Sequence, residues 1–134
     1  MSARSKARKR ALDLIYASEM RQRSPLEALE EQAAAGPVNE YTVALVHGVH
    51  EHRARLDEVI ASYAEGWSLA RMPAVDRNVL RLATFEVLYV DDVPDAVAVS
   101  EALNLVRELS TDESPAFVNG VLGNIVRDRE SLVG

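Results

Sequence analysis

PAVDRNVLRLATFEVLYVDDVP, residues 73–94, is a helix written between two breaks. Pro73 suits a first helical turn, where its missing N–H is no loss. Val79, Leu80, Ala83 and Val87 then recur at helical spacing, which turns them inward along a helix reaching about Val90. Asp91-Asp92-Val93-Pro94 ends it. Polar residues are set inside this apolar run. Arg81 and Glu86 stand five apart, a poor spacing for pairing along one helix, so each is expected to reach another helix. A Glu between Phe85 and Val87 predicts a polar contact that holds a bundle together.

The chain on either side reads the same way. From about Ser5 to Arg23, Ala7, Ala11, Leu14, Ile15 and Ser18 recur at helical spacing. Ser24-Pro25-Leu26-Glu27 opens a second helix: Ser24 caps, Pro25 takes the first position and Glu27 completes a capping box. Gly36-Pro37 stops it after about Ala35. Asn39 caps a long third stretch, with Val38 placed to staple against Val43 and a stripe of Leu45, Val49, Leu56, Ile60 and Tyr63. Gly66 and Trp67 end that stretch. A further helix covers about Ala96–Leu109, and Ser114-Pro115 repeats the Ser-Pro start for a last helix reaching about Arg129. No strand pattern and no internal repeat is visible. The expected fold is all-α, a compact bundle of about six to seven helices, with residues 1–134 as one domain.

Charge is distributed unevenly. Arg4, Lys6, Arg8, Lys9 and Arg10 put five positive charges and no negative one into the first ten residues. The whole chain carries −6, so residues 11–134 carry −11. A basic head on an acidic body suits a polyanion-binding arm; a frayed, solvated terminus explains the same charges. Cations on the first turns oppose the helix dipole, so the segment is expected to fray until a partner orders it. The chain has no cysteine, which excludes disulfides and thiolate chemistry. The basic start has no apolar run after it, so it is not a secretory signal, and no apolar stretch suffices to cross a bilayer. A cytoplasmic protein is expected.

Few residues carry chemistry. Asn119-Gly120 lies within Phe117-Val118-Asn119-Gly120-Val121-Leu122. Glycine in a helix interior costs up to about 1 kcal/mol against alanine, so close packing of another helix is expected there. Asn119 either bonds nearby backbone or reads a base edge; Phe117 is either a core aromatic or a stacking ring beside a helix N-terminus. His47, His50 and His52 form H-x-x-H-x-H, in which only the first two share a face, so surface histidines are the default reading and no metal or other cofactor is expected. No Gly-rich phosphate loop, nucleophile elbow or Ser/His/Asp order stands out, so no enzyme is expected.

Three segments in order carry a resemblance: Val75–Glu86, Val93-Pro94-Asp95-Ala96-Val97-Ala98-Val99-Ser100-Glu101-Ala102-Leu103, and Phe117–Leu122. With the basic start and Ala11-Leu12-Asp13-Leu14-Ile15-Tyr16, they make nearly the whole chain resemble the NusB family of bacterial antitermination factors. The resemblance implies two packed helical subdomains. It implies binding of boxA leader RNA from ribosomal RNA operons together with NusE, a small ribosomal protein, in a complex with other Nus factors and RNA polymerase. It assigns RNA binding to Arg4, Lys6, Arg8, Lys9, Arg10, Tyr16, Phe117 and Asn119, and partner binding to Tyr63, Asp76 and Glu113. Ser5 stands where some relatives carry another basic residue. Homodimers are known in the family, and such pairing could hide the RNA surface. The same fold begins some ribosomal RNA cytosine methyltransferases, whose long catalytic domain is not expected in a chain of this length. Two other readings stay open on the residues alone: a protein-interaction module with no direct RNA contact, and a small metal-dependent helical enzyme built on the three histidines.

Overall fold

The computed structural model describes residues 2–133. Among them it holds eight α-helices and one 3-10 turn, and no strand. The helices are α1 (Ala3–Met20), α2 (Pro25–Ala35), α3 (Glu40–Glu51), α4 (Arg53–Tyr63), α5 (Ala74–Tyr89), α6 (Asp95–Leu109), α7 (Ser114–Arg127) and α8 (Arg129–Val133), with the 3-10 turn at Leu69–Arg71. The chain divides into two compact units, one ending at His52 and the other beginning at Arg53.

In the first unit α1 packs against α3, and α2 packs against both. Ala11, Leu12, Leu45 and Val46 form its centre, each 2% exposed or less. Caps follow the sequence signals. Ser24 accepts the N–H of Leu26 at 3.2 Å, and Asn39 accepts that of Tyr41 at 2.7 Å. The start of the chain departs from expectation. Ser2 caps α1 by accepting the N–H of Ser5, so the basic residues lie on a formed helix. Ala7 and Arg8 are buried, and Thr42 donates its hydroxyl to the Ala7 carbonyl at 3.1 Å. A segment that supplies buried groups to its neighbours is not a frayed arm, and loss of residues 1–10 would remove part of the core.

The second unit is built around α5, which contacts α4, α6, α7 and α8. Every α5 residue from Asn78 to Leu88 is buried, as is Asp76. Its polar side chains therefore need partners, and Arg81 finds one on α4. The guanidinium donates to Asp57 through Nε at 2.7 Å and Nη2 at 3.1 Å, and to Asn78 through Nη1 at 3.0 Å. Asn78 in turn donates to the Ala74 carbonyl at 2.9 Å. Arg81 does reach another helix, as its spacing from Glu86 required.

Two boundaries differ from the sequence reading. The third stretch is two helices, because the backbone turns at His52 with φ −102° and ψ 12°. No glycine, proline or capping residue stands there, so the pattern gave no stop. At its other end the last helix halts at Arg127, and α8 follows separately.

Removing Asp57 takes the bidentate carboxylate from a buried guanidinium. Asp57→Ala is expected to destabilise the protein by about 3 kcal/mol, the low end for breaking a buried pair, because Asp57 is partly open to water. Urea unfolding checks this; a loss below about 1 kcal/mol would class the pair with ordinary surface bridges.

Candidate nucleic-acid interface

The five cations of the first turns do not share one environment. Lys6 and Arg10 are exposed on α1, one helical step apart. They line a groove of about 450 Å³ whose other wall is Pro37, Val38, Asn39 and Thr42 at the start of α3. Arg10 also donates to Gln32 on α2. Arg4 and Lys9 are half-buried, and Arg8 is only 4% exposed. The guanidinium of Arg4 lies 4.2 Å from the centre of the Tyr41 ring, and that of Arg8 lies 5.6 Å from it. Such cation–π contacts offset the clash of these charges with the helix dipole. Arg8 is thus a packed residue, not a solvent-facing phosphate contact. Tyr16 is exposed farther along α1.

On α7 the two residues assigned to RNA lie on different faces. Phe117 and Asn119 flank the buried Val118, so at 100° per residue they point about 200° apart and cannot grip one base together. Asn119 is exposed, and its amide bonds no other described residue. This leaves the backbone-bonding reading without support. Gly120 and Gly123 are exposed beside it, and a Cβ on either would meet nothing within 4 Å. The close helix packing expected at Gly120 is absent among the described residues.

Phe117 faces a cavity of about 480 Å³ lined by Trp67, Arg71, Met72, Asp76 and Glu113 among others. The Phe117 and Trp67 rings meet edge to face, with centroids 6.1 Å apart and planes at 61°. Trp67, 52% exposed, was read from sequence only as a helix terminator. The signal was available: a lone tryptophan beside a turn glycine in a chain with 5% aromatics. Gly66 takes φ 77°, a left-handed turn that swings Trp67 out, and the Trp67 N–H bonds the Ala64 carbonyl at 2.9 Å.

The three residues assigned to partner binding fare differently. Glu113 is exposed on the rim of this cavity. Asp76 is 1% exposed and accepts the hydroxyls of Ser110 at 2.6 Å and Ser114 at 2.9 Å. It has no carboxylate surface to offer a partner directly. Tyr63 is half-buried at the end of α4 and donates its hydroxyl to Asp128 Oδ2 at 2.7 Å, just past the end of α7. Arg127 grips the same carboxylate at 3.0 and 3.1 Å. These bonds, Arg127 first and Tyr63 second, hold the Asp128 carboxyl down at about 2. The bond to Asp128 and burial push the Tyr63 phenol up. His47 and His50 are exposed on α3 and His52 ends it; among the described residues no group of three His, Cys, Asp or Glu is placed to hold a metal ion.

Two outcomes follow. Asp128 binds its proton less readily folded than unfolded, so its contribution is complete above pH 3.8 and is lost as pH falls through about 2. Asp128→Asn is expected to flatten the acid limb of stability in that window, read by denaturant unfolding at stepped pH; an unchanged limb would show that the contact carries no linkage. Gly120→Ala is expected to raise stability by about 0.5–1 kcal/mol, since the helix gains propensity and no neighbour is crowded. A fall in melting temperature would reveal a contact made at that face.

Comparison with known proteins agrees with this architecture. The NusB family model matches residues 5–127. The transcription antitermination protein NusB of Nocardioides sp. is 64% identical over 134 residues, covering 98% of this chain and 99% of the relative. NusB of T. maritima superposes with a TM-score of 0.85 at 31% identity, covering 96% of this chain and 93% of that one. A chain from a crystal structure of the antitermination factors NusB and NusE in complex with dsRNA gives a TM-score of 0.81 at 26% identity, covering 92% and 96%. The chain belongs to the NusB family of transcription antitermination proteins.

Proposed function

We propose that this protein is a non-catalytic adaptor in the cytoplasm that binds boxA leader RNA of ribosomal RNA operons together with NusE. In that role it joins other Nus factors on RNA polymerase, supporting read-through of terminators and maturation of the transcript. The observation that carries this reading is the family match across residues 5–127, joined to the likeness to a complex that contains NusB, NusE and dsRNA. The chain's own surfaces suit the task. Lys6 and Arg10, with Lys9 beside them, offer cations to phosphate oxygens. On the other unit, Phe117 offers a ring to an unpaired base, and Asn119 offers an amide edge on a separate face. Tyr16 is exposed for RNA contact. The acidic body and Glu113 suit a basic ribosomal protein as partner. A homodimer that covered the cationic face would compete with RNA.

One observation favours a weaker form of this reading. Arg4 and Arg8 stack on Tyr41, so part of the basic segment serves the fold. Direct RNA contact then rests on fewer charges than the sequence counts. Five cations on single-stranded RNA would give a slope of log affinity against log salt of about −3.5. The two or three accessible ones give about −1.4 to −2.1. A gel shift with boxA-like RNA, with and without NusE, repeated across salt concentrations, checks this. Lys6→Ala with Arg10→Ala is expected to reduce the slope to between zero and about −0.7. Truncation of residues 1–10 would instead damage the fold. RNA binding only in the presence of NusE, with a slope indifferent to Lys6 and Arg10, would favour a protein-interaction module that touches no RNA itself.

A further inference from the structure

We propose that Asp76 is a positioning residue: its buried carboxylate clamps the turn between α6 and α7 and thereby sets Phe117 against Trp67. Its importance for RNA rests on the reading above, in which Phe117 meets a base. The two serines that Asp76 holds stand at the two ends of that turn. Ser110 is the residue that ends α6, and Ser114 is the first residue of α7. Each donates to a different carboxylate oxygen. Thr111 adds its hydroxyl at 2.8 Å and its N–H at 3.3 Å to the Ser114 oxygen. Between them only Thr111, Asp112 and Glu113 are exposed.

The first turn of α7 has no other side-chain anchor of this kind. Glu113 occupies the cap position with helical dihedrals and makes no capping bond. Ser114, which the Ser-Pro pattern marks as a cap, spends its hydroxyl on Asp76 instead. The direction of the first turn is therefore set by a residue on α5. Phe117 lies one turn along from Ser114, and its N–H bonds the Glu113 carbonyl at 3.2 Å. Release of Asp76 would free that turn and move the ring. The Trp67 backbone is held independently, by the bond to Ala64 and the turn at Gly66, while its ring rests edge to face on Phe117. One wall of the cavity is thus anchored at the end of α4, and the other through Asp76.

A carboxylate suits this work. It only accepts, both oxygens are usable, and hydrogen bonds to it are stronger than those to a neutral acceptor. An apolar side chain would avoid the cost of burying a charge but would leave the serines bonded only to each other and to Thr111, with the turn no longer tied to α5. The same burial explains how a residue with no surface can still matter for binding.

The test uses the full chain with Asp76→Asn, which halves the acceptor set at constant shape, and Ser110→Ala, which removes one donor from a half-buried site. Two readouts are taken: affinity for a single-stranded boxA-like RNA, and fluorescence anisotropy of Trp67, the only tryptophan. Both variants are expected to lower RNA affinity about five- to tenfold, part of the worth of a stacking aromatic, with the salt slope unchanged. In a Phe117→Ala background neither is expected to lower it further. Both are expected to reduce Trp67 anisotropy. A further loss in the Phe117→Ala background would overturn the proposal, because Asp76 would then act by a route other than Phe117. Unaltered Trp67 anisotropy would overturn it as well. Should Phe117→Ala itself leave RNA affinity intact, the RNA reading of Phe117 fails separately, and the Trp67 signal alone decides whether the clamp exists.

Discussion

A helix buried along most of its length cannot carry polar groups without partners, and α5 carries Asp76, Asn78, Arg81, Thr84 and Glu86 in that position. Much of the second unit is arranged to meet this constraint. Arg81 requires an acid, and Asp57 on α4 supplies it in bidentate geometry. Asp76 requires donors, and the serines at the α6–α7 turn supply them. Among the described residues, Thr84 Oγ1 is the buried side-chain polar atom that meets no partner. Hydrophobic burial gathers these helices, but it is indifferent to their register. The polar contacts are directional, and they select one arrangement.

The candidate interface inherits its shape from that selection. The aromatic cavity lies where the turn after α4 meets the start of α7, and both ends are tied to α5 or its neighbours. The Tyr63–Asp128–Arg127 contacts close the opposite end of α7 against α4. In the other unit, Tyr41 plays a comparable part by taking Arg4 and Arg8 onto its ring. The cations left at the surface are those that packing did not claim.

How far the sequence could be read is clearest where one pattern has two fates. Ser24-Pro25 and Ser114-Pro115 look alike, and both begin helices. Ser24 caps as the local signal says. Ser114 does not: it is already the first residue of the helix, with Glu113 at the cap position, and it donates its hydroxyl to a buried carboxylate 38 residues away in sequence. The break at His52 was illegible for a related reason: the apolar stripe continues through it, and no local residue marks a stop. Phe117 and Asn119 were legible as unusual residues. Their separation around α7 follows from the helix period. Trp67 escaped notice because its position relative to Phe117 depends on two turns far apart in the chain.

The sequence by itself determined the helices, most of their ends, the all-α class, the basic head and the family. These rest on spacing, on capping and breaking residues, and on ordered motifs, all of which are local or additive along the chain. Only the tertiary structure decided which of the five leading cations remain accessible, that Asp76 is a clamp with no surface of its own, and that Phe117 shares a cavity with Trp67 and Glu113. The physical reason is that burial and partner choice are properties of pairs distant in sequence. A charge pattern counts Arg8 and Lys6 alike, whereas packing of α1 against α3 buries one and leaves the other in solvent.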